Sequence, residues 1–236
     1  MVKMKMTDNE VKSENEIKPD EAIKAINSAE EKRRIRRDIL SVRNAQPPML
    51  RKQKSDKILQ TIYSIEEYKN AKVILAYADY QSEVMTSHLI EKALFDGKEV
   101  FCPKVSGSDM DFYHIRSLED LEEGYKGIRE PVPGENLWDR KNDHIAHTAD
   151  KTGRLLVIVP GVAFDKDCHR IGYGKGFYDK FMTRLSENEL DFYAVGLGYE
   201  CQIIPEVPCD KHDVCIDMIV TENNIYRRVC DHVQFR

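Results

Sequence analysis

Apolar residues return along this chain with two spacings. Between about 20 and 46 they fall at Ile23, Ile26, Ile35, Ile39 and Leu40, which is helical spacing, and Pro47-Pro48 ends the pattern because proline cannot continue a helix. A second helix is predicted over about 49–68, with Leu50, Ile58, Leu59 and Ile62 along one side. The run 72–77 is short, apolar and rich in β-formers, and reads as a buried strand. Ser82 or Thr86 is placed to cap a helix carrying Leu89, Ile90, Ala93 and Leu94, and Gly97 suits the residue just past its end. A strand over 99–102 completes a βαβ unit, which implies a parallel pair.

The middle, about 104–150, is rich in Gly, Pro, Asp and Asn and predicts loops with short strands such as 111–115. The run 155–159 is apolar at every position, as a strand covered on both faces must be. A long loop over 160–176 follows, then a helix from about 177 to 185 and strands at 192–197 and 215–221. The expected fold is α/β: a layered, mainly parallel sheet flanked by helices, in a single domain over 21–236 that includes N-terminal helices. Residues 1–20 are polar, charged and without periodicity, and predict a disordered leader. Ligands should sit at the carboxyl ends of the strands.

Charge and composition narrow the field. The chain has 236 residues with 36 Lys+Arg against 41 Asp+Glu, a net charge of −5, which is ordinary globular composition. No run approaches the ~18 apolar residues of a membrane span, and the first residues lack the apolar core of a secretory signal. A cytoplasmic protein with no membrane partner is expected. The six cysteines (102, 168, 201, 209, 215 and 230) then read as reduced thiols at or near a core; Cys209, His212 and Cys215 match no common zinc spacing. The seven histidines accompany no GxSxG serine.

The chemistry is concentrated after the central strand. Gly172, Gly174 and Gly176 alternate between Arg170 and Lys175, and a helix is predicted next. Alternating glycines let bare backbone amides approach a ligand, and amides at a helix start make an anion site. No GxxxxGK[ST] is present, and Phe177 stands where GxGxxG requires its last glycine. From the glycines alone, a phosphate loop and a plain tight loop are both open. Asp179 is placed to hold Mg²⁺ beside phosphate oxygens, or simply to favour the first helical turn.

A second feature is a basic run. Between 31 and 57 there are ten basic and three acidic residues, a local charge of +7. This is a solvated face, a nucleic-acid surface, or a second wall for phosphates lying over the glycine loop. Aromatic residues do not interleave with these charges, as single-strand stacking would require.

Together the motifs resemble the 5-formyltetrahydrofolate cyclo-ligase (methenyltetrahydrofolate synthetase) family. The matching residues are Lys32-x-x-Ile35-Arg36, Glu83-Val84-x-Thr86, Gly127-Ile128-x-Glu130-Pro131, the block PGxAFDxxxxRxGxGxGxYD over 160–179, and His212-Asp213. The resemblance covers about 30–225 and implies an enzyme: a ligase that uses MgATP to convert 5-formyltetrahydrofolate to 5,10-methenyltetrahydrofolate, releasing ADP and phosphate. The formyl oxygen would be phosphorylated, and N10 would then close the ring.

Residue by residue it implies nucleotide contacts from Lys32, Arg33, Arg34, Ile35 and Arg36 and from Arg170, Ile171, Gly172, Tyr173, Gly174, Lys175, Gly176, Phe177 and Tyr178. Lys175, Arg170 and Tyr178 would be catalytic. Asp179 and Asp213 would hold magnesium, and Glu83, Ala78, Phe177 and Tyr178 would meet the folate. Two departures stand out: Tyr173 replaces an arginine of some members, and Phe177 replaces a common tyrosine. The expected partners are folate and ATP, without nucleic acid, and the expected state is a monomer. A look-alike without folate activity, or a nucleotide- or nucleic-acid-binding module using the basic helix, would be the alternatives.

Overall fold

The apolar run at 155–160 lies, as its composition demands, in the middle of a seven-stranded sheet. The computed structural model describes residues 19–132 and 155–229. Most of the expected leader, and the end of the glycine- and proline-rich middle, lie outside those residues.

Two helices open the described chain, α1 (Pro19–Ala45) and α2 (Pro48–Ser64), with Pro48 in the first turn of α2, where its missing N–H costs nothing. The single helix expected over 49–68 is in fact two. Ile65 is extended with ψ 148°, and α3 (Glu66–Asn70) starts after it. In an unbroken helix Tyr68 would fall off the stripe of Ile58, Leu59 and Ile62; with the break Tyr68 reaches the core and Ile65 stays in it.

Strand β1 (Val73–Leu75), helix α4 (Ser87–Phe95) and strand β2 (Glu99–Ser106) form the expected parallel unit. Gly97 sits past α4 at φ +74°, as read from sequence. Thr86 does not cap by its side chain; its hydroxyl donates to the Tyr77 carbonyl at 2.6 Å. Strand β2 runs past the expected 102 and turns back into β3 (Asp109–Ile115), an antiparallel edge pair. A small ribbon, β4 (Leu121–Glu123) and β5 (Arg129–Pro131), follows.

After the gap come β6 (Leu155–Pro160), a two-residue ribbon β7 (Ala163–Phe164) and β8 (Arg170–Ile171), helix α5 (Phe177–Glu187), β9 (Phe192–Leu197), β10 (Met218–Val220) and β11 (Ile225–Arg227). The expected 160–176 loop therefore holds a ribbon, and the strand expected over 215–221 shrinks to three residues. The sheet order is β11-β10-β9-β6-β1-β2-β3; β10, β9, β6, β1 and β2 are parallel, and both edges are antiparallel.

Alternation along the strands builds two cores. Ile74, Val100, Leu156, Ile158 and Val195 pack with Ile58, Ile62, Leu89 and Ile90 of α2 and α4. Val73, Leu75, Leu155, Val157 and Val159 face the other way and meet Phe181, Met182 and Leu185 of α5. The chain leaves β1 toward β2 on one side, and returns with β6 on the other. The β1–β6 boundary is thus where strand order reverses, the crevice at which open α/β sheets bind ligands. Among the described residues no helix is long and apolar enough to cross a membrane.

Candidate active site

The loop after β6 is shaped by one buried acid. Asp165 is 1% exposed and accepts from the Asp167 and His169 amides at 3.0 Å each, from the Val207 amide at 2.9 Å and from the His169 ring at 2.9 Å. These bonds close the β7–β8 turn and leave the chain free to run out through the glycines. Gly174 (φ +95°) and Gly176 (φ +67°) hold left-handed backbone that other residues adopt only with strain, and Gly176 stands immediately before α5. A Cβ built on Gly176 would meet nothing within 4 Å beyond its chain neighbours, whereas one on Gly172 would come within 2.7 Å of an Arg170 Nη. The loop thus presents amides at the positive end of an eleven-residue helix.

Helix α1 lies over this loop. Its residues 32, 35, 36, 39 and 43 share a face at spacings of three, four and seven, and that face turns inward. Ile35 and Ile39 pack against Ala163, Ile171 and Val207. Arg36 Nε donates to the Gly172 carbonyl at 2.7 Å. Lys32 Nζ donates to Asp210 and Asp213 at 2.6 Å each. Burial works against the Lys32 ammonium, yet the two carboxylates more than offset it and raise its pKa. Burial holds the Arg36 guanidinium below its ordinary value despite Asp213. Arg33, Arg34 and Arg37 are exposed. The basic run therefore divides: a solvated face, and a cationic wall against the glycine loop.

The loop after β1 brings Ala78, half-buried, and Glu83, buried, to the same crevice. Glu83 Oε2 accepts from the Tyr80 amide at 2.9 Å. Burial raises the Glu83 pKa from 4.5 to about 7, against the Tyr80 amide, Tyr173 and Arg43, which favour the carboxylate. The charge of Glu83 is thus in balance near neutral pH.

Between Glu83 and the glycine loop lie Arg170 and Tyr178. Arg170, 7% exposed, bonds Asp179 at 2.8 Å and the Pro160 carbonyl at 3.2 Å, and its guanidinium sits 5.8 Å from the Tyr178 ring centre. Arg170 Nε and the Tyr178 hydroxyl are both buried without a hydrogen-bond partner. Two neighbouring orphan donors in one crevice are what a ligand acceptor would satisfy. Burial, with Glu83 nearby, pushes the Tyr178 hydroxyl well above its ordinary pKa, so it remains a proton-bearing donor. The Val214 amide, next in sequence to Asp213, donates to Asp179 at 3.4 Å. Lys175 and Tyr173 are exposed, and Phe177 is half-buried against the α5 core.

The structure therefore brings together Lys32, Arg36, Glu83, Arg170, the 172–176 loop, Tyr178, Asp179 and Asp213. Ile171 is buried and joins through its carbonyl, which accepts from the Val162 amide at 2.7 Å. Sequence reasoning missed three contributors: Arg43, Asp165 and Asp210. Arg43 was legible as the next inward position after Lys32 and Arg36. Asp165 was quoted within the long block without a role. The thiols of Cys102 and Cys168 are buried as expected, but Cys209 is exposed.

Comparison with known proteins identifies the family. The 5-formyltetrahydrofolate cyclo-ligase family matches residues 28–222. A Schizosaccharomyces pombe protein named probable 5-formyltetrahydrofolate cyclo-ligase is 34% identical over 183 residues, covering 73% of this chain and 85% of its own. The Arabidopsis thaliana protein named 5-formyltetrahydrofolate cyclo-ligase, mitochondrial, is 30% identical over 83% of this chain and 75% of its own, so such similarity does not fix a compartment. The solved Aquifex aeolicus 5,10-methenyltetrahydrofolate synthetase superposes with TM-score 0.67 at 32% identity, over 87% of this chain and 96% of that one. By matched length, relatives and fold, this chain belongs to the 5-formyltetrahydrofolate cyclo-ligase family of ligases.

Proposed function

We propose that the chain converts 5-formyltetrahydrofolate to 5,10-methenyltetrahydrofolate with ATP and Mg²⁺, releasing ADP and phosphate. The observation that carries this reading is the meeting of an amide-rich anion loop, a buried acid near neutrality and two orphan donors in one crevice.

The residues suit a triphosphate. The 174–176 amides, Lys175 and the α5 N-terminus supply donors and positive potential, with Lys32 and Arg36 of α1 opposite them. Magnesium fits as a phosphate-bound ion. Among the described residues no group of three or more His, Cys, Asp or Glu is arranged to cage a metal. Mg²⁺ needs only one or two carboxylates beside phosphate oxygens; Asp179 opens α5 after the glycine loop, and the residue after Asp213 donates its amide to Asp179. When bound, Mg²⁺ neutralises phosphate charge and orients the terminal group.

An N-formyl group is an amide with a poorly electrophilic carbon. Transfer of the γ-phosphoryl to its oxygen makes that oxygen a leaving group; N10 then attacks the carbon, and phosphate departs. The protein's task is positioning and charge neutralisation. Arg170 and Tyr178 donate toward the formyl oxygen and the phosphoryl passing to it. Glu83 accepts from pterin N–H donors, and Ala78 and Phe177 line the folate's path. This requires that purified chain form methenyl-folate absorbance from 5-formyltetrahydrofolate only when ATP and Mg²⁺ are both present. Folded protein that gives no product, or the same rate without ATP, would refute it.

A further inference from the structure

Every residue from 82 to 85, the segment that carries Glu83, is held by a buried side chain. The Ser82 hydroxyl accepts from Arg43 Nε at 2.9 Å, the Glu83 carbonyl from the Tyr199 hydroxyl at 3.0 Å and the Val84 carbonyl from the Tyr77 hydroxyl at 3.1 Å. The Met85 amide donates to Ser55 Oγ at 3.1 Å. Of these side chains, Tyr199 comes from across the sheet. It follows the end of β9, and β6 lies between β9 and β1, so its ring reaches past β6 to the loop after β1. Apolar side chains would fill the same space without the cost of burying hydroxyls, so these bonds need a reason beyond packing.

A tyrosine hydroxyl has one proton to give. The Glu83 carbonyl at 3.0 Å is nearer than the Arg51 carbonyl at 3.5 Å and takes it. Ser55 Oγ, 3.0 Å from the Tyr199 oxygen, then donates to that oxygen and accepts from the Met85 amide. One continuous chain of hydrogen bonds thus grips the backbone on both sides of Val84. The base of Tyr199 is fixed as well. Its amide donates to Oε1 of the buried Gln202 at 2.9 Å, and Gln202 Nε2 donates to the Gly161 and Val162 carbonyls at 2.8 and 3.0 Å.

We propose that Tyr199 and Ser55 are positioning residues for folate binding: through the Glu83 carbonyl and the Met85 amide they set the backbone from which Glu83 presents its carboxylate. The inference rests on the reading of Glu83 as the folate-contacting acid. Both residues act from behind the loop, through its backbone. The Tyr80 amide, which donates to Glu83 Oε2 at 2.9 Å, reports where that carboxylate sits.

The test is Tyr199→Phe, which removes only the hydroxyl, and Ser55→Ala, each in the full chain; should one fail to fold, the other carries the same readouts. In proton–nitrogen NMR spectra the Tyr80 amide proton should move upfield, as its bond to Glu83 loosens, while the Val157 and Val195 amides of the central strands stay in place. Affinity for 5-formyltetrahydrofolate, measured without nucleotide, should fall about fivefold, the worth of one hydrogen bond, and affinity for MgATP should be unchanged. A Tyr80 amide unmoved in the folded variants overturns the inference. So does a wild-type chain that binds folate no better than variants in which that amide has moved, or an equal loss of MgATP and folate affinity, which a merely structural role would give. If the Tyr80 amide moves but the wild-type chain binds no folate, the hold on Glu83 stands and the reading of function falls.

Discussion

Arg170→Ala is expected to lower turnover about a thousandfold, the cost of removing a preorganised donor from a site of developing charge. One arm of Arg170 holds Asp179 at 2.8 Å, a second bonds the Pro160 carbonyl, and Nε is left without a partner beside the orphan Tyr178 hydroxyl. Alanine removes the donor and also leaves Asp179 without its cation. Arg170→Lys keeps a charge but not the planar fork, so it should recover only part of the loss. Initial rates at saturating ATP and folate, with thermal melts to show that both variants fold, decide the point. Near-normal turnover in Arg170→Ala would remove Arg170 from the chemistry.

Glu83→Gln should weaken folate binding about 10- to 100-fold while stabilising the unliganded protein. The affinity loss follows from replacing a charged acceptor with a neutral one, worth about 1.5–3 kcal/mol. The stability gain follows from burial. In the unfolded chain Glu83 loses its proton near 4.5, and in the fold near 7. As pH rises between those values the unfolded state binds fewer protons, so stability falls, by up to about 3 kcal/mol once both states are ionised. Glutamine abolishes that penalty, though the attraction between Arg43 and the carboxylate is lost with it; a net gain of about 1–2 kcal/mol at pH 7.5, and none at pH 4, is expected. Urea unfolding at the two pH values measures it. A variant less stable than wild type at pH 7.5 would show that Glu83 is a structural acid.

That pairing of lost affinity with gained stability is what a preorganised binding group predicts. The chain keeps a costly carboxylate where a ligand with N–H donors would satisfy it, and surrounds it with groups that limit the cost.

The parts of this arrangement differed in how plainly the residues announced them. The strand at 155–160 and the helix from Phe177 were legible because a doubly covered strand is apolar throughout and a helix after alternating glycines has a marked start. The length of β2 and its hairpin with β3 were not: Lys104, Ser106, Asp109 and Asp111 lie on an edge pair, where solvent removes the apolar signal. The β7–β8 ribbon is two residues per strand, too short to show a period. The break at Ile65 is set by where Tyr68 must pack, a tertiary demand.

Within the site, the glycine loop and the cationic helix could be found from residue types. Their contact could not, because it depends on which arginines face inward. Lys32, Arg36 and Arg43 turn in while Arg33, Arg34 and Arg37 turn out, so helical phase rather than charge separates the two sets. Tyr173, which replaces an arginine of some members, takes a hydrogen bond from the buried Arg43 in the fold.

The most direct measurement uses 5-formyltetrahydrofolate carrying a heavy-oxygen isotope in its formyl group. If the γ-phosphoryl passes to that oxygen before N10 closes the ring, the inorganic phosphate released by this chain carries the label, one atom per turnover. Unlabelled phosphate beside methenyl product, with the isotope recovered in water, would contradict the account.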